Sequence, residues 1–253
     1  MNVKRKIMAA LLSAGLLLLL LPAAFAAEYG EANITPQTTM GEIRSNPSIA
    51  GSGLWTYAKE QKLQGAENLL NGQTLEKYVG SWVAQDCADG LNLLIENYNA
   101  GVQITYKIYS EQEIAEDSSR NDAEIYYYPA STPNAKYALI LSGNMVTRTA
   151  EVKECVSTAY QLHQMGYAAF VMRYRIYPDN DQNAPLDDIA QAVQYITDHA
   201  QQFGVQAEDY AVIGHSAGGQ LTGLFGSDAL GYKNYGLLKP GALILAYPIV
   251  QYA

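Results

Sequence analysis

From Tyr137 onward the chain alternates short apolar runs with longer amphipathic ones, a rhythm that few architectures can satisfy. Tyr137 to Ser142 and Tyr167 to Tyr174 read as strands, and Val152 to Met165 between them reads as a helix stopped by Gly166. Pro185 opens a longer helix, Leu186 to Phe203, whose apolar residues Leu186, Ile189, Val193, Ile196, Ala200 and Phe203 recur at helical spacing. Gly204 closes it, and Asp187 and Asp188 sit in its first turn, where carboxylates meet the positive end of the helix dipole. Tyr210 to Ile213 and Ala242 to Val250 complete the buried strands. Apolar strands joined by helices need both sides covered, so the expected fold class is α/β with a mostly parallel sheet and helices on both faces.

Upstream, Val102 to Tyr109 and Ile125 to Tyr128 read as leading strands, with Ser110-Glu111-Gln112-Glu113 between them as a capping box opening a short acidic helix. The zone from Ala27 to about residue 100 begins polar and continues as short helical patterns with Leu54, Trp55, Leu63, Leu69, Leu70, Tyr78 and Trp82. Its clearest helix runs from Asp89 to Tyr98, with Leu91, Leu94 and Ile95 on one face, and Gly101 ends it. The expected organisation is a leader over 1–26, an N-terminal helical extension over 27–100 and an α/β domain over 101–253.

The leader has the three parts of a secretory signal: Lys4, Arg5 and Lys6, the apolar stretch Ile7 to Leu21, then Pro22 and the small-residue site Ala24-Phe25-Ala26. The apolar stretch is shorter than the roughly 20 residues of a membrane span, so cleavage after Ala26 and a secreted or periplasmic protein without a stable membrane anchor are expected. Cleavage removes three of the 16 basic side chains and none of the 25 acidic ones, taking the formal charge from −9 to −12. Such a surface repels phosphate backbones, which excludes nucleic acid as a partner. Cys87 and Cys155 allow one pairing, as a disulfide of an exported protein or as two buried thiols. The three histidines and two cysteines show no metal-ligand spacing, so neither a metal nor a cofactor is expected.

The chemistry lies in Gly214-His215-Ser216-Ala217-Gly218-Gly219, at the end of one strand and before the helix Gln220 to Phe225. This is the G-x-S-x-G spacing of a nucleophile elbow. The turn is so tight that the serine takes a strained backbone and projects its hydroxyl above the sheet, while Gly214 and Gly218 leave room for neighbouring backbone. The plainer alternative is a glycine turn from strand to helix.

At these residues the chain resembles the α/β-hydrolases of the esterase/lipase type, nearest to the secreted carboxylesterase group that includes feruloyl-esterase-like proteins. The resemblance runs from about Tyr106 to the C-terminus. Besides the elbow it includes the strand Ala138 to Gly143, the segment Gly166 to Phe170 leading into Arg173-Tyr174-Arg175, and the helix after Pro185. It implies an α/β-hydrolase fold and a small-molecule or polysaccharide-linked ester as substrate. Ser216 then matches the nucleophile, and the N–H of Ala217 the first oxyanion donor. The second donor is expected from Asn144, with Gly143 as its turn residue, where many esterases carry His-Gly-Gly-Gly.

One departure is large. The family's order is Ser, then Asp or Glu, then His, yet no histidine follows Ser216, and Asp228, the only acidic residue there, comes soon after the elbow helix. His215 is adjacent to the serine and expected to point away, while His163 and His199 read as helix or capping residues. The expectation is that the last strands are missing and that the triad's Asp and His lie beyond Ala253. A catalytically silent scaffold is the alternative function, and a peptidase or thioesterase of the same fold a lesser one. Among the 20 tyrosines, Tyr126-Tyr127-Tyr128 reads either as a stacking surface for substrate or, more simply, as strand residues.

Overall fold

The computed structural model describes residues 29–54, 70–143, 150–176, 181, 183–248 and 250. The expected leader, and Trp55, Leu63, Leu69 and Asn144, lie outside the described residues. Helices come first: α1 (Met40–Ser45), α2 (Pro47–Gly51), α3 (Leu75–Val79) and α4 (Ala84–Asn99). Their starts follow from local chemistry, since Thr39 and Glu42 form a capping box, Asn46 caps α2 ahead of Pro47, and the Thr74 hydroxyl caps α3. In α4, Ala84, Cys87, Ala88, Leu91, Leu94 and Ile95 are buried at helical spacing, and Gly101 follows with φ 82°.

The remaining elements are β1 (Thr105–Lys107), α5 (Glu111–Glu116), β2 (Glu124–Tyr128), β3 (Tyr137–Leu141), α6 (Glu151–Glu154), α7 (Val156–Gln164), β4 (Ala168–Arg173), α8 (Ala184–Asp198), α9 (Ala200–Phe203), β5 (Ala211–His215), α10 (Ala217–Phe225) and β6 (Ala242–Ala246). The sheet order is β1-β2-β4-β3-β5-β6. β2 runs antiparallel to β1 and β4, and every other pairing is parallel. This is the arrangement of an α/β-hydrolase fold.

Alternation along each strand divides the core in two. Tyr126, Tyr128, Ala138, Ile140, Ala169, Val171 and Ile213 face α4 and α7, while Ile125, Tyr127, Leu139, Phe170, Met172 and Val212 face α8 and α9. Tyr126, Tyr127 and Tyr128 are therefore core residues, not a substrate platform. Cys87 and Cys155 are buried free thiols, and the Cys87 S–H donates to the Val152 carbonyl at 3.4 Å.

Several elements differ from expectation. The strand over Val102 to Tyr109 shrinks to Thr105–Lys107, because Ser110 caps α5 and the Tyr109 hydroxyl is drawn to Asp188 at 2.7 Å. The helix over Val152 to Met165 bends at Cys155, where φ reaches −109°. The helix through Phe203 is interrupted at His199, whose Nδ1–H donates to the Tyr195 carbonyl at 2.8 Å while its ring stacks on Tyr195. Asp188 does more than face a helix dipole, for it is wholly buried against Arg175. The last strand stops at Ala246 and is not buried: Leu243, Ile244 and Leu245 are 38%, 50% and 40% exposed. Among the described residues, only β5 pairs with this strand.

Candidate active site

β5 and α10 meet in a turn that glycine alone can close. A Cβ on Gly214 would collide with the Gly218 carbonyl oxygen and with Thr222 Oγ1. One on Gly218 would lie 2.5 Å from the Ser142 carbonyl oxygen and 2.6 Å from that of Leu141. Backbone atoms of β3 and α10 cannot give way, so both positions require the missing side chain. Between them Ser216 holds φ 51° and ψ −118°, a conformation that costs a non-glycine residue about 1–3 kcal/mol. Its own backbone is pinned on both sides, the N–H donating to the Ala246 carbonyl at 2.9 Å and the carbonyl accepting from the Gln220 N–H at 3.2 Å.

Ser216 is the residue from which α10 starts, and Ala217 is the first residue of the helix. The first N–H groups of a helix have no intrahelical acceptor, and the dipole adds partial positive charge there, so the Ala217 N–H stands at the electropositive end of α10.

The end of β3 closes the other side. A Cβ on Gly143 would lie 2.9 Å from Ser216 Cβ. Ser142 is held by two bonds, its carbonyl accepting from the Tyr174 hydroxyl at 2.7 Å and its hydroxyl accepting from the Ala150 N–H at 3.0 Å. The Gly143 N–H donates to Glu154 Oε2 at 2.5 Å. Tyr247, directly after β6, completes this rim with φ 38° and its ring 5.9 Å from that of His215. Burial, and then the neighbouring Glu154 carboxylate, push its hydroxyl up to about 12.

The structure thus gathers Gly214, Ser216, Ala217, Gly218 and Gly143 at one end of the sheet. The three histidines point elsewhere. His163 Nδ1–H donates to the Pro129 carbonyl at 2.6 Å, and His199 Nδ1–H is bonded to Tyr195 as described above. His215 Nδ1 faces the Leu141 carbonyl at 3.4 Å. Among the described residues none of these histidines hydrogen-bonds the Ser216 hydroxyl, and no three His, Cys, Asp or Glu side chains cluster as a metal site. Glu154 and Tyr247 were not visible as site residues in the sequence. Glu154 reads there as one polar position of a helix and Tyr247 as part of the strand over Ala242 to Val250.

Comparison with known proteins finds partial matches. Residues 124–232 match the BD-FAE family model. An acetylxylan esterase of Xylanibacter ruminicola is 25% identical over 134 residues, a stretch that is 53% of this chain and 27% of the relative's length. Among solved structures, MGS-M1, an α/β-hydrolase enzyme from a Medee basin deep-sea metagenome library, is 25% identical with a TM-score of 0.46, covering 52% of this chain and 54% of that one. An acetyl ester-xyloside bifunctional hydrolase from Caldicellulosiruptor lactoaceticus is 21% identical with a TM-score of 0.47, covering 58% and 57%. The chain therefore spans about a quarter of the curated relative and little more than half of these two structures. Its sheet order is that of the α/β-hydrolase fold, and its G-x-S-x-G turn and the family match over residues 124–232 make this chain similar to the α/β-hydrolases of the esterase type.

Proposed function

We propose that this chain is an exported carboxylic ester hydrolase that acts through an acyl-enzyme on Ser216. The observation that supports it most is the backbone of Ser216, kept at φ 51° between two glycines at the head of α10. Folding energy spent on such a conformation is typical of a functional group held for use. In the reaction, Ser216 Oγ bonds to the acyl carbon and gives its proton to a base. The carbonyl oxygen becomes an anion against the N–H of Ala217, with Asn144 as the second donor. The bond to the alcohol then breaks, the base returns the proton to the leaving oxygen, and water repeats the sequence to free the acid.

The base and its acidic partner are, in this reading, a His and an Asp beyond Ala253, since His163, His199 and His215 all turn to backbone carbonyls. The name of the curated relative makes acetyl groups on xylan the first substrate to try. Export through the sequence over 1–26 is the setting that such a polymer requires. The test is acetate release from acetylated xylan and p-nitrophenyl acetate hydrolysis, measured on the 253-residue chain, on a product extended past Ala253, and on each with Ser216→Ala. The expected result is Ser216-dependent turnover of the extended product, with only a residual rate in the shorter chain, on the order of 10³-fold over water. An extended product that kept its full activity after the Ser216→Ala substitution would overturn the assignment. No hydrolysis at all would favour the second reading, a silent scaffold, which the lack of a described histidine at Ser216 supports.

A further inference from the structure

A carboxylate that the proposed chemistry does not use stands beside the nucleophile turn. Glu154, the last residue of α6, is half-buried, and its Oε2 accepts the Gly143 N–H at 2.5 Å. A Cβ on Gly143 would lie 3.0 Å from that oxygen and 2.9 Å from Ser216 Cβ, so the carboxylate and the serine both border Gly143. On its other side Glu154 bears on the Tyr247 hydroxyl. One side chain therefore holds the backbone leaving β3, a segment that flanks Ser216.

Gly143 needs such a partner. Ser142 before it has a hydroxyl and a carbonyl that are both tied, to Ala150 and Tyr174. Gly143 has no side chain with which to fix itself, and a glycine freed from its bond recovers more backbone freedom than any other residue. A bond from N–H to an ionised carboxylate is about twice as strong as a neutral one, and partial burial strengthens it further.

We propose that Glu154 is a positioning residue of this site: its carboxylate fixes the Gly143 backbone beside Ser216, and so sets the gap into which an acyl group fits. The proposal rests on Ser216 as nucleophile for what is positioned, and on the bond from Gly143 to Glu154 for how. Displacements of about 1 Å in elements that orient a reacting group cost on the order of 100-fold in rate.

Two measurements test it: amide hydrogen exchange at Gly143 by NMR on the purified 253-residue chain, and the rate of Ser216 phosphonylation by a fluorophosphonate probe on the product extended past Ala253. Glu154→Ala is expected to speed Gly143 exchange about tenfold or more, while the β3 and α7 amides keep their protection. It is expected to lower the maximal phosphonylation rate about 10- to 100-fold, with the half-saturating probe concentration unchanged. Glu154→Gln, which keeps an acceptor oxygen in place, is expected to recover both to within about threefold of wild type. Unchanged Gly143 exchange in Glu154→Ala overturns the proposal, as does faster exchange with unchanged phosphonylation. If wild type extended past Ala253 is not phosphonylated at all, the nucleophile reading fails separately, and Gly143 exchange alone decides whether Glu154 holds this backbone. Should Glu154→Ala not fold, Glu154→Asp, one methylene shorter, takes its place; identical behaviour of the Asp, Gln and wild-type proteins then overturns the proposal.

Discussion

Arg175 and Asp188 are joined at three points: the Arg175 backbone N–H reaches Oδ2 at 2.7 Å, Nε reaches Oδ1 at 2.9 Å and Nη2 reaches Oδ1 at 2.7 Å. Asp188 is fully buried, Tyr109 donates its hydroxyl to the same Oδ1 at 2.7 Å, and Arg175 Nη1 extends to Asp117 at 3.0 Å. The cluster clamps the end of β4, the start of α8 and the connection between β1 and β2. Asp188→Ala removes the buried partner of Arg175 and leaves the guanidinium only its more exposed ion-pair partner Asp117, and the expected cost is about 3 kcal/mol. A urea midpoint lowered at unchanged slope would show it; an unchanged midpoint would mean that the clamp is replaceable by solvent.

Gly218→Ala places a methyl group 2.5 Å from the Ser142 carbonyl oxygen. The turn must then open, with an expected loss of about 1–3 kcal/mol and of Ser216 phosphonylation together. A variant that melted like wild type and reacted like wild type would show that the β5–α10 turn has slack not visible in its geometry.

The capping box of α5 gives a pH test. Hydrogen bonds from the Ser110 hydroxyl and N–H hold the Glu113 carboxyl below the usual carboxylate range. A depressed folded-state pKa adds stability above the unfolded value, near 4.3, and that stability fades as pH falls through the folded value. Ser110→Ala is therefore expected to cost about 1 kcal/mol of local stability at pH 7 and clearly less at pH 3, read from amide exchange in α5. A penalty that grew toward acid would contradict the cap.

The outer edge of β6 predicts self-association. Its apolar residues are exposed, Ile244 at 50%, beside a row of backbone groups with no strand partner among the described residues. Ile244→Lys should suppress aggregation in sedimentation and light-scattering runs while shifting the unfolding free energy by no more than about 0.5 kcal/mol. Equal aggregation of the two proteins would locate the sticky surface elsewhere.

The sequence by itself determined the features that depend on near neighbours. The capping box at Ser110, the stops at Gly101, Gly166 and Gly204, and the turn around Ser216 are set by contacts a few residues apart, so composition and spacing disclose them. Apolar runs such as Tyr137 to Leu141 likewise announce strands buried on both sides. Periodicity, however, tells how a segment presents itself about its own axis and not which segment it will meet. The insertion of β4 between β2 and β3, the turning of Asp188 from a helix start onto Arg175, and the approach of Glu154 to Gly143 arise only when distant stretches pack. Asp188 and Glu154 look alike in the sequence, as acidic residues near helix ends. Tertiary packing made one the buried anchor of a guanidinium and set the other beside the serine, because a carboxylate taken from water binds whatever donors the folded chain brings within reach.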